Sequence, residues 1–111
     1  MDNPKILARV KEIAPGCYTE RDGGDWYALA PTTSDIGRLA EGFGDRDNAR
    51  LLLCFLAGDP LPKGWRLTPN GKGGLSYDIE IPGDYTATLW ARDARKLFPA
   101  RAEAFPVIAT P

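Results

Sequence analysis

The part of the chain that most constrains its fold is residues 64–91, where two turn-forming segments flank one alternating segment. Within residues 75–81 every second residue is apolar, which is the period of a β-strand with one buried face. The side chains that must share this face are Leu75, Tyr77, Ile79 and Ile81. We therefore predict a three-stranded antiparallel meander with this segment as its middle strand.

The turns on either side predict how the three strands pair. Pro82, Gly83 and Asp84 favour a three-residue hairpin loop. That loop places Ile81 opposite Tyr85, Ile79 opposite Ala87, Tyr77 opposite Leu89 and Leu75 opposite Ala91. Upstream, the glycine-rich residues 70–74 favour a five-residue loop, which sets Leu67 opposite Tyr77 and Trp65 opposite Ile79. Because a slip of one residue would expose the entire apolar set, we expect the register to be strongly specified.

The same register assigns polar residues to the outer face of the meander. It sets Arg66 opposite Asp78, Thr68 opposite Ser76, Asp78 opposite Thr88 and Glu80 opposite Thr86. Trp90 falls opposite Ser76 on this polar face, which is an unusual place for a large aromatic side chain. Two alternatives stay open: the C-terminal segment covers Trp90, or Trp90 is available to a partner.

Caps and breakers define the elements that precede the meander. Asn3 and Pro4 predict the start of a helix that residues 15–16 end. Residues 22–25 predict the turn of a β-hairpin in which Tyr18 and Leu29 share an inward face. A short helix is predicted next, from the helical spacing of Ile36, Leu39, Ala40 and Phe43.

A second helix is predicted over residues 50–57, with Asp45 or Asp47 as its cap. This segment is apolar around nearly its whole circumference, so a buried strand is the alternative interpretation. After the meander, residues 92–98 favour a short helix that Pro99 ends.

In chain order, these elements predict an α+β fold: a helix, a β-hairpin, two helices, a three-stranded antiparallel meander, and a short C-terminal helix or extended tail. The helices are expected to pack on one face of an antiparallel sheet. A length of 111 residues with 43% hydrophobic residues suits a single globular domain over residues 1–111. Residues 100–111 are predicted to be an extended tail that covers Trp90 or adds an edge strand.

The charge balance narrows the classes of partner. A net charge of −1 argues against a strongly cationic nucleic-acid-binding protein. No apolar run approaches the roughly 18 residues of a membrane span, and the N-terminus lacks the pattern of a signal peptide. We therefore expect a cytoplasmic protein with no membrane partner and with free thiols at Cys17 and Cys54. The sequence does not decide its oligomeric state.

None of the candidate chemical motifs satisfies the requirements of its chemistry. Residues 70–74 resemble a phosphate-binding loop in composition, but they lack its spacing and precede a strand where a helix is needed. Asp22 and Asp25 lack the other ligands of a calcium loop, and Asp78 with Glu80 lies on a solvated strand face. The sequence contains no histidine to act as the base for Cys17. We expect no catalytic residue, no cofactor and no metal.

Protein binding is the function that this surface favours. Tryptophan and arginine are enriched among the residues that dominate protein interfaces. The candidate partner-binding residues are Trp90, Arg66, Arg92, Arg95 and Lys96. One alternative is an accessory nucleic-acid-binding protein that uses the arginines and lysine of residues 92–101 together with exposed aromatic side chains. A second alternative is an enzyme with an unrecognised carboxylate or a site at Cys17.

The composition indicates a possible setting for protein binding. Arginine outnumbers lysine, and alanine, glycine and proline are plentiful, as in many proteins of GC-rich bacteria and their phages. Small acidic proteins without catalytic residues often act as adaptors or inhibitors. Phage proteins directed at host defence, such as anti-CRISPR proteins, are one example. We expect this chain to fall in that general category, although it shares no motif with them.

Overall fold

A computed structural model describes residues 2–31, 37–71 and 73–106. In chain order its elements are α1 (Pro4–Ile13), β1 (Tyr18–Asp22), β2 (Asp25–Leu29), β3 (Arg38–Phe43), α2 (Arg46–Leu56), β4 (Arg66–Asn70), β5 (Ser76–Glu80), β6 (Ala87–Leu89) and α3 (Ala91–Leu97), followed by a 3-10 helix (Pro99–Ala104). Within the described residues, no helix is both long enough and apolar enough to cross a bilayer.

All six strands form one antiparallel sheet in the order β1-β2-β3-β6-β5-β4. Apolar side chains of its inner face pack with α2 in a common core, whose largest fully buried members are Phe43, Phe105, Leu39, Leu52, Leu53, Ile79 and Leu89. The predicted α+β fold with helices and an antiparallel sheet is confirmed.

The β5–β6 hairpin has the predicted register. Tyr77 lies opposite Leu89 and Ile79 opposite Ala87, and Asp84 donates its backbone N–H to Ile81 across the turn. Leu75 differs from the prediction because the strand begins only at Ser76. Its side chain is 55% exposed, although its carbonyl accepts the N–H of Ala91 at 3.0 Å.

The β4–β5 pairing is shifted by two residues from the prediction. Leu67 lies opposite Ile79, Pro69 opposite Tyr77, Thr68 opposite Asp78 and Arg66 opposite Glu80. A shift of two residues leaves every side chain on its predicted face, since strand side chains alternate with a period of two. The hydrophobic pattern therefore cannot distinguish the two registers, and Trp65 is buried as expected.

The first of the two predicted central helices is wrong, because Arg38–Phe43 is the third strand of the sheet. Register shifts on both sides of the Ala28–Ala40 pair show that β3 contains two β-bulges, and Gly42 has the positive φ of 94° typical of one. Each bulge adds a residue that breaks the alternation of buried and exposed side chains. The buried Leu39, Ala40 and Phe43 therefore acquire the spacing of a helix face.

The remaining helices begin near the predicted caps. Asn3 Oδ1 accepts the N–H of Lys5 at the start of α1, and Asp45 Oδ1 accepts the N–H of Asp47 at the start of α2. The open question about residues 50–57 is decided in favour of a helix, because α2 extends to Leu56.

Two further predictions are corrected by the fold. Tyr18 and Leu29 do lie opposite each other, but they share the outer face, and Tyr18 is 49% exposed. The tail predicted to be extended from residue 100 begins instead as part of the 3-10 helix, and Phe105 behind it is completely buried. Residues 107–111, where the edge strand was predicted to continue, lie outside the described residues.

Candidate protein-binding surface

The outer face of the sheet carries a continuous row of polar side chains across all six strands. Successive strand pairings align Glu20, Tyr27, Glu41, Thr88, Asp78 and Thr68 in this row. None of the six is buried, whereas the neighbouring row through Ala28, Ala40, Leu89 and Tyr77 is buried in the core. The sheet thus presents one apolar face to the helices and one polar face to its surroundings.

Carboxylates dominate the outer face. Alternation along the strands gives it Glu20, Asp22, Asp25, Glu41, Asp78 and Glu80, against the arginines Arg38 and Arg66. In the row itself, Glu20, Glu41 and Asp78 lie on every second strand, which places their Cα atoms about 10 Å apart. This face is far more acidic than the whole chain, whose net charge is only −1.

The helices hold much of the balancing positive charge. Their cationic residues are Lys5, Arg9 and Lys11 on α1, Arg46 and Arg50 on α2, and Arg92, Arg95 and Lys96 on α3. Many of these cations are paired with carboxylates outside the sheet face: Arg9 with Glu12 and Asp59, Arg46 with Asp2, and Arg50 with Asp2 and Asp47. None of these pairs includes a carboxylate of the outer sheet face, which therefore has a negative electrostatic potential of its own.

The two halves of the outer face differ in how their carboxylates are paired. Over β4 and β5, Glu80 forms an ion pair with Arg66 at 3.0 Å, and Asp78 accepts a hydrogen bond from Asn70 at 2.8 Å. Over β1–β3, Glu20 and Glu41 form no ion pair with any described residue. The unneutralised charge of this face is thus concentrated over β1–β3.

Tyr27 lies between Glu20 and Glu41 in the row. Burial raises the pKa of its phenol, and the neighbouring Glu41 carboxylate raises it further. The guanidinium of Arg38 stacks on its ring, 4.3 Å from the centroid. Tyr27 therefore stays protonated at neutral pH, and it adds an aromatic surface with a hydroxyl group at the centre of the β1–β3 half.

The structure separates the five residues that the sequence predicted as partner-binding. Trp90 is 36% exposed beside the exposed Leu75, and Arg92 and Lys96 are exposed on α3. Arg66 lies at the opposite end of β5, because its partner Glu80 is four residues from Ser76, about 13 Å along the strand. The predicted residues therefore do not form one patch.

The side chain of Arg95 forms hydrogen bonds within the fold. Its guanidinium donates to the carbonyl of Phe105 and, at 2.8 Å, to the carbonyl of Gly74. These contacts tie α3 to the segment after the 3-10 helix and to the β4–β5 loop. Arg92, by contrast, is exposed, and its one ion pair within the described residues is with Asp93, at 3.6 Å.

Sequence reasoning missed Glu20, Tyr27 and Glu41. Because β3 was predicted to be a helix, Glu41 was not assigned to the sheet. The β1–β2 hairpin therefore had no predicted strand beside β2. The alternation of Glu20 with Asp22 on β1 was a usable signal for an acidic strand face.

The structure also shows the surroundings of the groups that the sequence offers for catalysis. Cys17 is half-buried, and burial raises the pKa of its thiol, which disfavours the nucleophilic thiolate. Among residues 2–31, 37–71 and 73–106, no group of three or more histidine, cysteine, aspartate or glutamate side chains is arranged to hold a metal ion. Asp78 and Glu80 are engaged with Asn70 and Arg66, as described above.

Comparison with known proteins gives no relative: no family model, no curated protein and no solved structure matches this chain. Functional inference therefore depends on the geometry of its own surfaces.

Proposed function

We propose that this protein is a small, non-enzymatic protein-binding module that docks a cationic protein surface on its outer sheet face. The observation that carries the proposal is the row in which Glu20, Glu41 and Asp78 recur on alternate strands of an uncovered face. Lysine and arginine side chains at matching intervals would meet these carboxylates. Electrostatic complementarity of this kind sets orientation and association rate more than raw affinity.

The acidic face favours a protein over a nucleic acid as the partner. A phosphate backbone would be repelled by the carboxylates, and the arginines and lysine of α3 are too few for a strong salt-dependent interaction, since Arg95 is engaged internally. A cationic protein has no such conflict.

Trp90 and Leu75 supply an apolar anchor beside the acidic face in this proposal. They are linked through the backbone, because the residue after Trp90 donates its N–H to the carbonyl of Leu75. Arg92 and Lys96 are exposed on α3, the helix that follows Trp90, and would meet acidic groups at the rim of a partner. Replacing Trp90 with alanine should weaken binding and leave the fold intact, as measured by circular dichroism.

The setting we favour is cytoplasmic, where Cys17 and Cys54 would remain reduced. The composition is typical of GC-rich bacteria and their phages, so we favour an inhibitor or adaptor. One example would be an inhibitor of a defence protein that has a basic nucleic-acid groove.

A charge-matched capture experiment tests the proposal. Wild-type protein is compared with a Glu41→Gln/Asp78→Asn variant in capture from a lysate of the source organism or its host, with and without nuclease. The control is Glu12→Gln/Glu103→Gln, which removes the same charge from exposed helical positions. We expect a basic protein that is bound by wild type and control, resists nuclease, and binds the outer-face variant about tenfold more weakly.

Two results would contradict the proposal. Equal capture by the outer-face variant and the control would show that the row does not bind the partner. Capture that nuclease abolishes would show that a nucleic acid mediates the interaction.

A further inference from the structure

β1 is an edge strand, so the backbone N–H and C=O groups of alternate residues point away from the sheet. Among the strands that the structure describes, β1 pairs with β2 alone, and Asp22 and Asp25 close a two-residue loop between them. In such a hairpin the residues next to the loop exchange hydrogen bonds, and every second pair does the same. The N–H and C=O groups of Glu20 thus point toward β2, whereas those of Thr19 and Arg21 point outward.

The two edges of the sheet differ in their openness to another strand. β4, the opposite edge, contains Pro69, which has no N–H to donate to an added strand. β1 contains no proline over Tyr18–Asp22, and four of its five residues are exposed. Proline blocks pairing at the β4 edge, whereas the β1 edge is protected only by the charged side chains Glu20, Arg21 and Asp22, which disfavour pairing with a strand of like charge.

The inner side of this edge opens into a groove between β1 and the helices. The groove has a volume of about 200 Å³. Its lining includes the apolar Leu7 and Val10 of α1 and Leu53 of α2, together with the cationic Lys11 and Arg50. Every second side chain of a strand added to β1 would point toward it. Apolar side chains of moderate size fit this lining.

The outer side of the edge has the opposite character. Glu20 and Asp22 both project to the outer face from β1, and neither forms an ion pair with a described residue. The alternate side chains of an added strand would lie directly beside these carboxylates. Lysine or arginine at those positions would form cross-strand charge pairs.

We propose that β1 accepts an added β-strand from the partner: an extended segment with cationic side chains over the outer face and apolar side chains toward the groove. The identity of this segment as part of a cationic protein rests on the proposed function. Main-chain hydrogen bonds to Thr19 and Arg21 would supply affinity, and the alternation of side chains would supply specificity.

A second copy of this chain fits the edge less well. An antiparallel β1–β1 pair centred on Thr19 would set Glu20 opposite Tyr18, but it would pair only three of the five residues of each strand. A pair centred on Glu20 would place this residue opposite its own copy, and one centred on Arg21 would set Glu20 opposite Asp22. Like charges directly opposite each other are destabilising. The edge is thus better matched to a cationic strand than to itself.

The test uses a peptide in which lysine and valine alternate, with an isomer of the same composition whose lysines and valines form two blocks. Binding to the full-length protein is measured by isothermal titration. The variants are Thr19→Pro, which removes an outward N–H, and Glu20→Gln/Asp22→Asn, which removes the edge charges. Glu12→Gln/Glu103→Gln, which removes the same charge from exposed helical positions, is the control.

We expect the alternating peptide to bind more tightly than its isomer. Thr19→Pro should weaken binding of the alternating peptide about three- to tenfold, as expected for one lost hydrogen bond, and Glu20→Gln/Asp22→Asn should weaken it by a similar factor. Three results would overturn the inference: equal binding of both peptides, no binding of either, or a dimer in sedimentation that Thr19→Pro dissociates. The last result would make a second copy the occupant.

Amide hydrogen exchange of the wild-type protein keeps the inference testable if Thr19→Pro fails to fold. The N–H groups of Thr19 and Arg21 should exchange more slowly when the alternating peptide is added, and unchanged exchange would overturn strand addition. The two proposals can fail separately. If the peptide does not bind, strand addition is wrong, but capture that depends on Glu41 and Asp78 can still be observed. If capture fails, the proposed function is wrong, but slowed exchange at Thr19 can still be observed with the peptide.

Discussion

Replacing Arg95 with alanine should destabilise the protein strongly, although the sequence marks this residue as a partner contact. Its guanidinium donates to the carbonyl groups of Phe105 and Gly74 and so joins α3 to two other segments. A hydrogen bond from a charged group contributes about 1.5–3 kcal/mol. Because Arg95 is half-buried and water can partly replace these bonds, we expect a loss of about 2–4 kcal/mol in the free energy of unfolding.

Urea unfolding followed by circular dichroism measures this loss, and Arg92→Ala is the matched control. Both changes replace arginine with alanine on α3, so any effect on helix propensity is common to them. Arg92 is exposed and forms a long ion pair with its chain neighbour Asp93, so its loss should change the free energy of unfolding by no more than about 0.5 kcal/mol. Arg95→Lys should be intermediate, since one ammonium group cannot reproduce the fork of a guanidinium.

The reasoning would be refuted if Arg95→Ala were no more destabilising than Arg92→Ala. If Arg95→Ala remained folded but no longer bound the captured partner, Arg95 would be the contact residue that the sequence predicts. Destabilisation with unchanged binding of the folded protein would confirm its role in holding α3.

Three further changes test the fold. Gly42→Ala should cost about 1–2 kcal/mol because φ at this bulge is 94°, a conformation that residues with a side chain avoid, and thermal unfolding measures the loss. Asp45→Ala removes the cap of α2 and should cost about 1 kcal/mol in urea unfolding, whereas Asp45→Ser should restore most of it. The hydrogen bond from Arg9 lowers the pKa of Asp59, so the stability from this pair is present above the unfolded pKa of about 3.9 and lost as pH falls through the lower folded pKa. Urea titrations should therefore show that the free energy of unfolding falls more from pH 7 to pH 3 in the wild-type protein than in Asp59→Asn.

The sequence predicts the fold well where two independent signals agree. In the β5–β6 hairpin, the turn at residues 82–84 and the alternation through Tyr77 and Ile79 require the same register, and the structure has it. In the β4–β5 pair only the glycine-rich loop distinguishes registers that differ by two residues. Several of its glycines adopt positive φ, so composition alone does not locate the turn.

The candidate surface was harder to predict because it depends on β3. This strand contains two bulges, and each adds a residue that disrupts the alternation by which a strand is recognised. Reading β3 as a helix placed Glu41 away from the sheet and separated the first hairpin from the meander. Only the pairing of Glu41 with both Tyr27 and Thr88 joins the acidic residues of the two halves into one row.

Arg95 shows a second limit of the sequence. Exposed arginines and arginines that bind backbone carbonyls are indistinguishable in a short helix, since the carbonyls belong to distant segments. Gly74 and Phe105 lie on opposite sides of α3 in the chain, and the fold brings both to one side chain.

Carboxylate footprinting tests the central claim most directly. The protein is labelled with a carbodiimide and an amine, free and bound to its captured partner, and mass spectrometry measures modification at each aspartate and glutamate. We predict protection of Glu20, Glu41 and Asp78 on the outer sheet face, with unchanged labelling of Glu12 and Glu103 on the helical side. Protection of Glu12 or Glu103 with unchanged labelling of the row would contradict docking through the sheet.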